Sequence, residues 1–346
     1  MSVCSIEIIL DPSHQPYHAG GIVSGHLDIV PMKEVDAKEC RIEFQWRTHG
    51  RGNVDSEMID TIAFDPPAWA PNELQKVPFS FQIPEHPASH SGTLLNIEYT
   101  IEAGLNRGWF RNDNAKCSIL VRPKPNTPPE IPTTQRVESV GATPMKMGWL
   151  PAMILIMVGG LSGPLSIYLT ESHAWLYDPT ASPWPFIIIL AGSVGCLSFG
   201  LFFLLRWRIR QRKLGVVDMV IRPARASEHK EPATTAITVE LQHRPAGSLQ
   251  VARVDMFLEY RELTWSGAGT NRTRATHEQR IRTERVGSSL TLLPGQLFKE
   301  QAVLVVPEAA APSFRSTDNE VAWVVGVEME IDGFPTLRFE KGLWIY

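Results

Sequence analysis

Two stretches of 22 residues each contain no Asp, Glu, Lys or Arg: Trp149–Thr170 (WLPAMILIMVGGLSGPLSIYLT) and Trp184–Leu205 (WPFIIILAGSVGCLSFGLFFLL). At ~1.5 Å rise per residue, a helix of that length reaches about 33 Å, enough for a ~30 Å hydrocarbon core. Core helices of soluble domains rarely run so far without a charge. The pattern therefore predicts a transmembrane helical hairpin over 147–207, with spans at 149–170 and 184–205. Both runs lie mid-chain, which excludes a signal peptide. A mean hydropathy of -0.09 averages these runs with polar flanks and hides them.

Orientation follows from the flanking cations. Arg122, Lys124, Arg136 and Lys146 precede the first span, and Arg206, Arg208, Arg210, Arg212 and Lys213 follow the second. The connecting ESHAWLYDPTAS has neither Lys nor Arg. Both termini and both long flanks are thus expected in the cytoplasm, on the inner membrane if the source is bacterial. Trp149, Trp175, Tyr177, Trp184 and Trp207 suit the membrane interfaces. Gly159 and Gly163, and the ladder Gly192, Cys196 and Gly200, allow close helix approach, within the hairpin or between copies of the chain. Pro164 is expected to kink the first helix. No charge lies inside either span, so an ion or proton path has no support.

The flanks read as β-structure. SIEIIL, IVSGHLDIV, CRIEFQW, MIDTIAF, VPFSFQI, LNIEYTIEA and AKCSILV fill 1–121 with short strand-like runs separated by turn-formers. Ile42, Phe44 and Trp46 alternate with Glu43, Gln45 and Arg47, the period of a half-buried strand. Residues 215–346 read likewise, from VVDMVI to LRFEKGLWIY. The expected class is all-β: two immunoglobulin-like sandwiches, 1–121 and 215–346, plus the two-helix hairpin. Six prolines in 122–146 predict an extended linker without regular structure.

Ser266–Gly287 interrupts the second flank with Arg272, Arg274, Arg280, Arg282 and Arg285 against Glu278 and Glu284. It reads either as a solvated hairpin loop or as a patch for an acidic partner or lipid headgroups. Trp109 and Phe110, adjacent in the polar turn NRGWFRNDN, form a candidate contact site for a protein partner. Trp46 reads as core or strand-edge packing.

Enzyme chemistry finds no footing. The net charge of -4 has the wrong sign for charge-led nucleic-acid binding. Cys4, Cys40, Cys117 and Cys196 form no CxxC pair, and so few cysteines favour a reducing compartment. His14 with His18, and His86 with His90, have helical metal-ligand spacing but span Pro16 and Pro87, which places them in loops. Gly20, Gly21 and Gly25 fit turns rather than a phosphate loop. No GxSxG, HExxH or paired-carboxylate pattern occurs, so no catalytic, cofactor or metal residue is assigned and no cofactor is expected.

The flanks also resemble each other. FSFQIPEHPASHSGTLLNIEYTIEA and AVLVVPEAAAPSFRSTDNEVAWVVGVEME each carry a strand ending in Pro-Glu, at Pro84-Glu85 and Pro307-Glu308. Ser89 and Ser313 each stand ten residues before an aromatic, Tyr99 or Trp323. This predicts a repeated sandwich. Tyr17 to Gly25, Phe79 to Pro84 with Pro87 and Ser89, and Ile97 to Ile101 resemble the arrestin-like superfamily of arrestins, α-arrestins and the retromer's arrestin-like subunit. Val305–Pro307, Pro312–Phe314 and Val321–Val325 repeat the later part. The resemblance implies two arrestin-like domains, here parted by 122–214 where arrestins have a short hinge. The proline-tyrosine motif of α-arrestins is absent, and the phosphate-sensing basic residues and buried ionic core have no matched positions. Fold alone does not carry receptor recognition across. The expected function is a membrane-anchored, non-enzymatic scaffold or adaptor that binds a protein partner through strand edges. The alternative is a lipid- or small-ligand-handling protein with a sandwich cavity.

Overall fold

The computed structural model describes residues 4–33, 38–67, 69–106, 112–124, 137–138, 153–161, 184–224, 236–307 and 310–345. Strands β1 (Cys4–Leu10), β2 (Ile22–Pro31), β3 (Glu39–Gly50), β4 (Ser56–Phe64), β5 (Gln75–Gln82), β6 (His90–Ser91), β7 (Leu95–Asn106) and β8 (Asn112–Ile119) build the first sandwich. One sheet runs β1-β2-β5; the other runs β4-β3-β7-β8, with β6 beside β7. The alternation read from sequence orients β3: Cys40, Ile42, Phe44, Trp46 and Thr48 are buried, and the residues between them are not. Phe44 stacks on Phe81 of β5 at 5.5 Å between ring centres and meets Tyr99 of β7 at 5.6 Å, joining the two sheets through aromatic rings.

The second sandwich uses β9 (Val137–Glu138), β10 (Val216–Pro223), β11 (Ala236–Arg244), β12 (Leu249–Ser266), β13 (Thr273–Leu292), β14 (Phe298–Val305), β15 (Phe314–Arg315), β16 (Asn319–Ile331) and β17 (Leu337–Leu343). Its sheets run β14-β11-β10-β9 and β13-β12-β16-β17, with β15 beside β16. Apart from β9, the connectivity repeats that of the first sandwich strand for strand. The repeat reaches individual hydrogen bonds. Ser89 Oγ accepts from Val121 N, and Ser313 Oγ accepts from Ile345 N, both at 2.9 Å and both across 32 residues. Tyr99 donates its hydroxyl to Pro87 O at 2.5 Å, and Trp323 donates Nε1–H to Ala311 O at 2.7 Å, both across 12 residues. Each serine closes its sandwich by clipping the residues that follow the last strand.

Three expectations are corrected. The Pro-rich 122–146 is not wholly without regular structure: β9 pairs antiparallel with β10 at Asp218 and Met219. Its first residues belong to the first sandwich, where Arg122 N bonds Tyr17 O and His18 Nδ1–H donates to Pro123 O. The interruption at Ser266–Gly287 is mostly strand. β12 and β13 form a long hairpin with Leu249 opposite Leu292 and Ser266 opposite Thr273. β13 escapes an alternation test because it lies at the sheet's end, exposed along most of its length.

Of the first charge-free run, 153–161 are described and are helical (α1); the rest of the span lies outside the described residues. The second run lies within a continuous helix α2 (Trp184–Leu214), which passes straight through the basic cluster rather than stopping at Leu205. Among the described residues, no helix is long and apolar enough to cross a membrane. The side chains at 184–187, 189 and 190 are not among them, and the fully described apolar run 191–205 covers only about 22 Å at ~1.5 Å per residue.

The buried residues of α1 and α2, among those described, are Gly159, Ser193, Gly200 and Leu214. A Cβ on Gly159 would press on Ser193 O at 2.7 Å and on the Leu197 side chain at 2.8 Å, so the glycine permits close packing of the helices there. The α2 face in contact is that of Ser193 and Leu197. Of the ladder Gly192, Cys196 and Gly200, Gly192 faces open space while Gly200 is buried, so only part of it is packed. Gly163, Pro164, Trp149, Trp175 and Tyr177 lie outside the described residues.

α2 joins β10 through one residue. Gly215 takes φ +68°, the left-handed conformation that ends helices, where a side chain would also collide with Arg244 O. The terminal carbonyls are capped from the β11–β12 turn. Lys213 O accepts from Ala246 N at 3.1 Å and Gly247 N at 3.0 Å, and Leu214 O accepts from His243 Nε2–H at 2.7 Å. Arg212 and Lys213 in the last turn complement the helix dipole.

Candidate partner-binding interface

The two sandwiches meet end to end, and the seam is polar and buried. Glu262, at the end of β12, has a side chain only 1% exposed. It accepts hydrogen bonds from Thr93 N (2.9 Å), Leu94 N (2.5 Å) and Leu95 N (3.1 Å) of the first sandwich. Tyr260 donates its hydroxyl to the same carboxylate at 2.7 Å, and His90 Nε2–H donates to the Tyr260 oxygen at 2.8 Å. The result is a relay His90 → Tyr260 → Glu262. Burial pushes the Glu262 pKa up, but the donors Leu94, Tyr260, Thr93 and Leu95 outweigh it and hold the group below its usual value. Burial also lowers the pKa of His90, against the pull of Glu262, so the imidazole is held neutral. Gly92 makes the approach possible, since any side chain there would run into the Glu262 carboxylate and the His90 ring.

A second set of bonds lies beside it. Asn319 Nδ2 donates to Asn53 O at 2.8 Å and Asp55 Oδ2 at 2.7 Å, with Thr48 Oγ1 at 3.1 Å. Asp55 also accepts from Ser316 Oγ and Asp318 N, at 2.6 and 3.0 Å. Asn53 exchanges bonds with Gly267 and donates to Asp318. Trp46 packs edge-on against Phe314 at 5.6 Å and donates Nε1–H to Glu57. It is therefore both core and seam.

The arginines singled out from sequence fall on or next to β13, and most are paired. Arg272 binds Asp318 and lies over Trp265. Arg280 binds Glu328 and Glu259 and covers the Phe257 ring at 4.1 Å; Arg338 covers the same ring at 4.9 Å. Arg285 binds Asp255 at 3.0 Å. Arg274 lies over Trp265, and Arg282 has no ion pair among the described residues. At the centre of this lattice Glu259, 2% exposed, is held by Arg261 and Arg338 at 2.6 and 2.8 Å. Much of the basic charge is thus spent inside the sheet's own outer face. The lattice ties β13 to β12 across register shifts at Val254/Asp255 and Leu258/Glu259, and among the described residues no strand pairs with its far edge. β13 is a 20-residue strand that, among the described residues, has a neighbour on one side only, the geometry that admits an added strand.

Trp109 and Phe110 lie outside the described residues, in the connection from β7 to β8. Near that connection a groove of about 500 Å³ opens on the outward face of β3, β7 and β8, lined by Glu39, Arg41, Glu102, Asn114 and Lys116. A smaller one, about 360 Å³, lies at β15–β17 among Arg315, Trp323, Lys341 and Trp344. Of the basic cluster, Arg206, Arg208, Arg212 and Lys213 are exposed on α2, and the side chain of Arg210 is not described.

The histidine pairs separate. His14 bonds Ser13, His18 bonds Pro123 O, and His90 joins the seam. Among the described residues no three His, Cys, Asp or Glu side chains converge as metal ligands. None of the four cysteines forms a disulfide, and Cys4 and Cys40 are buried. The seam was not visible in the sequence: Glu262 sits within the strand run LEYREL like any outward polar residue, and its partners are 167 to 169 residues away. No family model matches this chain, and no curated protein matches it in sequence.

Proposed function

We propose that the chain is a membrane-anchored, non-enzymatic scaffold or adaptor of arrestin-like build, cytoplasmic on both flanks, that recruits a protein partner by strand addition at β13. The observation that carries this reading is β13 itself, a long one-sided strand stiffened by the Glu259–Asp255–Glu328 arginine lattice. Strand addition takes affinity from main-chain hydrogen bonds and specificity from the side chains beside the edge, here Arg274 and Arg282. The charges along the edge also discourage indiscriminate pairing.

Anchoring draws on the two charge-free runs and on the surface of α2, where Ile188, Val194, Phe199, Phe202, Phe203 and Ile209 are all exposed. A helix apolar on all sides needs an apolar surround. Confinement to a surface would raise the effective concentration of the partner. The ligand-handling alternative draws no support from the larger groove, which is lined by the outward-facing Glu39, Arg41 and Glu102.

Purification of the full chain in mild detergent is expected to bring a stable protein partner, lost in the Arg274→Glu/Arg282→Glu double variant. Recovery of no partner would count against the scaffold. Topology is tested at Cys117, since Cys40 is buried and cannot report. Labelling of Cys117 by an impermeant maleimide added outside sealed cells would overturn the cytoplasmic assignment.

A further inference from the structure

We infer that the turn joining β13 to β14 is a membrane-contact element, which seats Leu293 and Leu297 in the headgroup layer beside the end of α2. Leu293 and Leu297 are 57% and 48% exposed, although they flank a turn built to be rigid. Gln296 N bonds Leu293 O at 3.1 Å, the Gln296 side chain accepts from Leu293 N at 3.0 Å, and Pro294 is followed by Gly295 at φ +75°. Pro then Gly with positive φ is the signature of a type II turn. Two leucines on a stiff turn lose little freedom when covered, so they are suited to a surface that takes them as they stand.

The occupant is set by what the turn is tied to. Gly295 N bonds Pro245 O at 2.7 Å, and the next residues, Ala246 and Gly247, cap Lys213 at the end of α2. The turn is therefore one loop away from the helix terminus, in a neighbourhood that also exposes Val216, Arg212 and Lys213. Lys213 lies about 12 Å along the helix from Leu205, the last residue of the charge-free run, at ~1.5 Å per residue. That depth corresponds to headgroups, not hydrocarbon. Apolar tips beside basic residues are the composition of an interfacial contact. The inference rests on the reading that α2 is embedded in a bilayer.

The test uses the full chain with Cys117→Ser and Cys196→Ala, reconstituted into vesicles of phosphatidylcholine and phosphatidylglycerol. A Leu293→Cys probe carries an environment-sensitive fluorophore. A Thr270→Cys probe serves as control at the opposite end of the β12–β13 hairpin, about 55 Å away at ~3.3 Å per residue. The expected result is a blue-shifted probe at 293 that loses most of its emission to headgroup-labelled nitroxide lipid, while the probe at 270 is unaffected. If the protein resists alkaline carbonate extraction but both probes stay aqueous, the turn inference fails and anchoring stands. Release of the protein by carbonate overturns the anchoring and the inference with it. A blue shift without quenching by lipid would indicate protein contact, for example with a second copy, and would also overturn the inference.

Discussion

Glu262 of the second sandwich accepts the backbone N–H of Leu94 in the first at 2.5 Å, and the amides of Thr93 and Leu95 point to the same carboxylate. One side chain thus ties off three main-chain donors of the other domain. Replacing it with alanine leaves those donors buried without partners, at a cost of about 3 kcal/mol or more. In the Glu262→Ala variant, hydrogen exchange should accelerate at amides 93–95 and stay unchanged at the centre of β7. Glu262→Gln, which keeps one acceptor, should fall between. Unchanged exchange at 93–95 would show that the seam does not depend on this carboxylate.

Acid should loosen the fold in two stages, the first through His90 at the seam and His243 at the end of α2, the second through Glu262. His90 and His243 both have pKa values lowered by burial from 6.5. A base with a depressed folded pKa is protonated first in the unfolded chain, so its stabilising share is present above 6.5 and is lost as pH falls below it. Each can contribute at most about 1.4 kcal/mol per pH unit. Glu262, depressed from 4.5, stabilises above that value and loses its share only below it. Urea titrations between pH 7 and 4 should show the first decline, with a shallower slope in His90→Gln.

The two serine clips should behave as independent copies. Ser89→Ala and Ser313→Ala each remove the acceptor of one buried amide, at about 1–2 kcal/mol apiece. The clips lie in different sandwiches, so the double variant should show the sum within ~0.5 kcal/mol. Denaturant unfolding of the single and double variants measures this, and strong non-additivity would mean that the sandwiches do not unfold separately.

Gly215→Ala should damage the junction between α2 and β10. The left-handed backbone and the clash with Arg244 O oppose a side chain there, a penalty of at least ~1 kcal/mol. Gly160→Ala, exposed within helix α1 with nothing within 4 Å, is the control and should cost nothing, or stabilise by up to about 1 kcal/mol because alanine is the better helix former. Thermal melts of the two variants side by side separate the site effect from a general dislike of substitution.

The sandwich class was legible wherever one strand face is buried and the other wet, as in Ile42, Phe44 and Trp46, because that asymmetry writes a period of two into the chain. The spacing of Ser89 to Tyr99 and Ser313 to Trp323 was legible too, and the structure gives both pairs the same bonds. β13 was legible only over its last part, where ERVGSSLTLL read as a strand; before it, with solvent along most of its length, the residues carry no alternation, and the arginines read as a loop. Arg280 and Arg285 gave no hint of their pairing, since Glu259, Glu328 and Asp255 stand on other strands. The seam left no local trace, because its donors are main-chain amides that every residue possesses.

The single residue between α2 and β10 leaves no slack. Lys213 is bonded to the β11–β12 turn, Leu214 to His243 of β11, and Glu262 fastens the far end to the first sandwich, so these bonds carry a reorientation of α2 into the domains. A 10° reorientation of α2 would sweep the tip of the β12–β13 hairpin, an arm of about 55 Å, through roughly 10 Å. Small angular changes at the helix are thereby magnified into displacements as wide as a helix is thick.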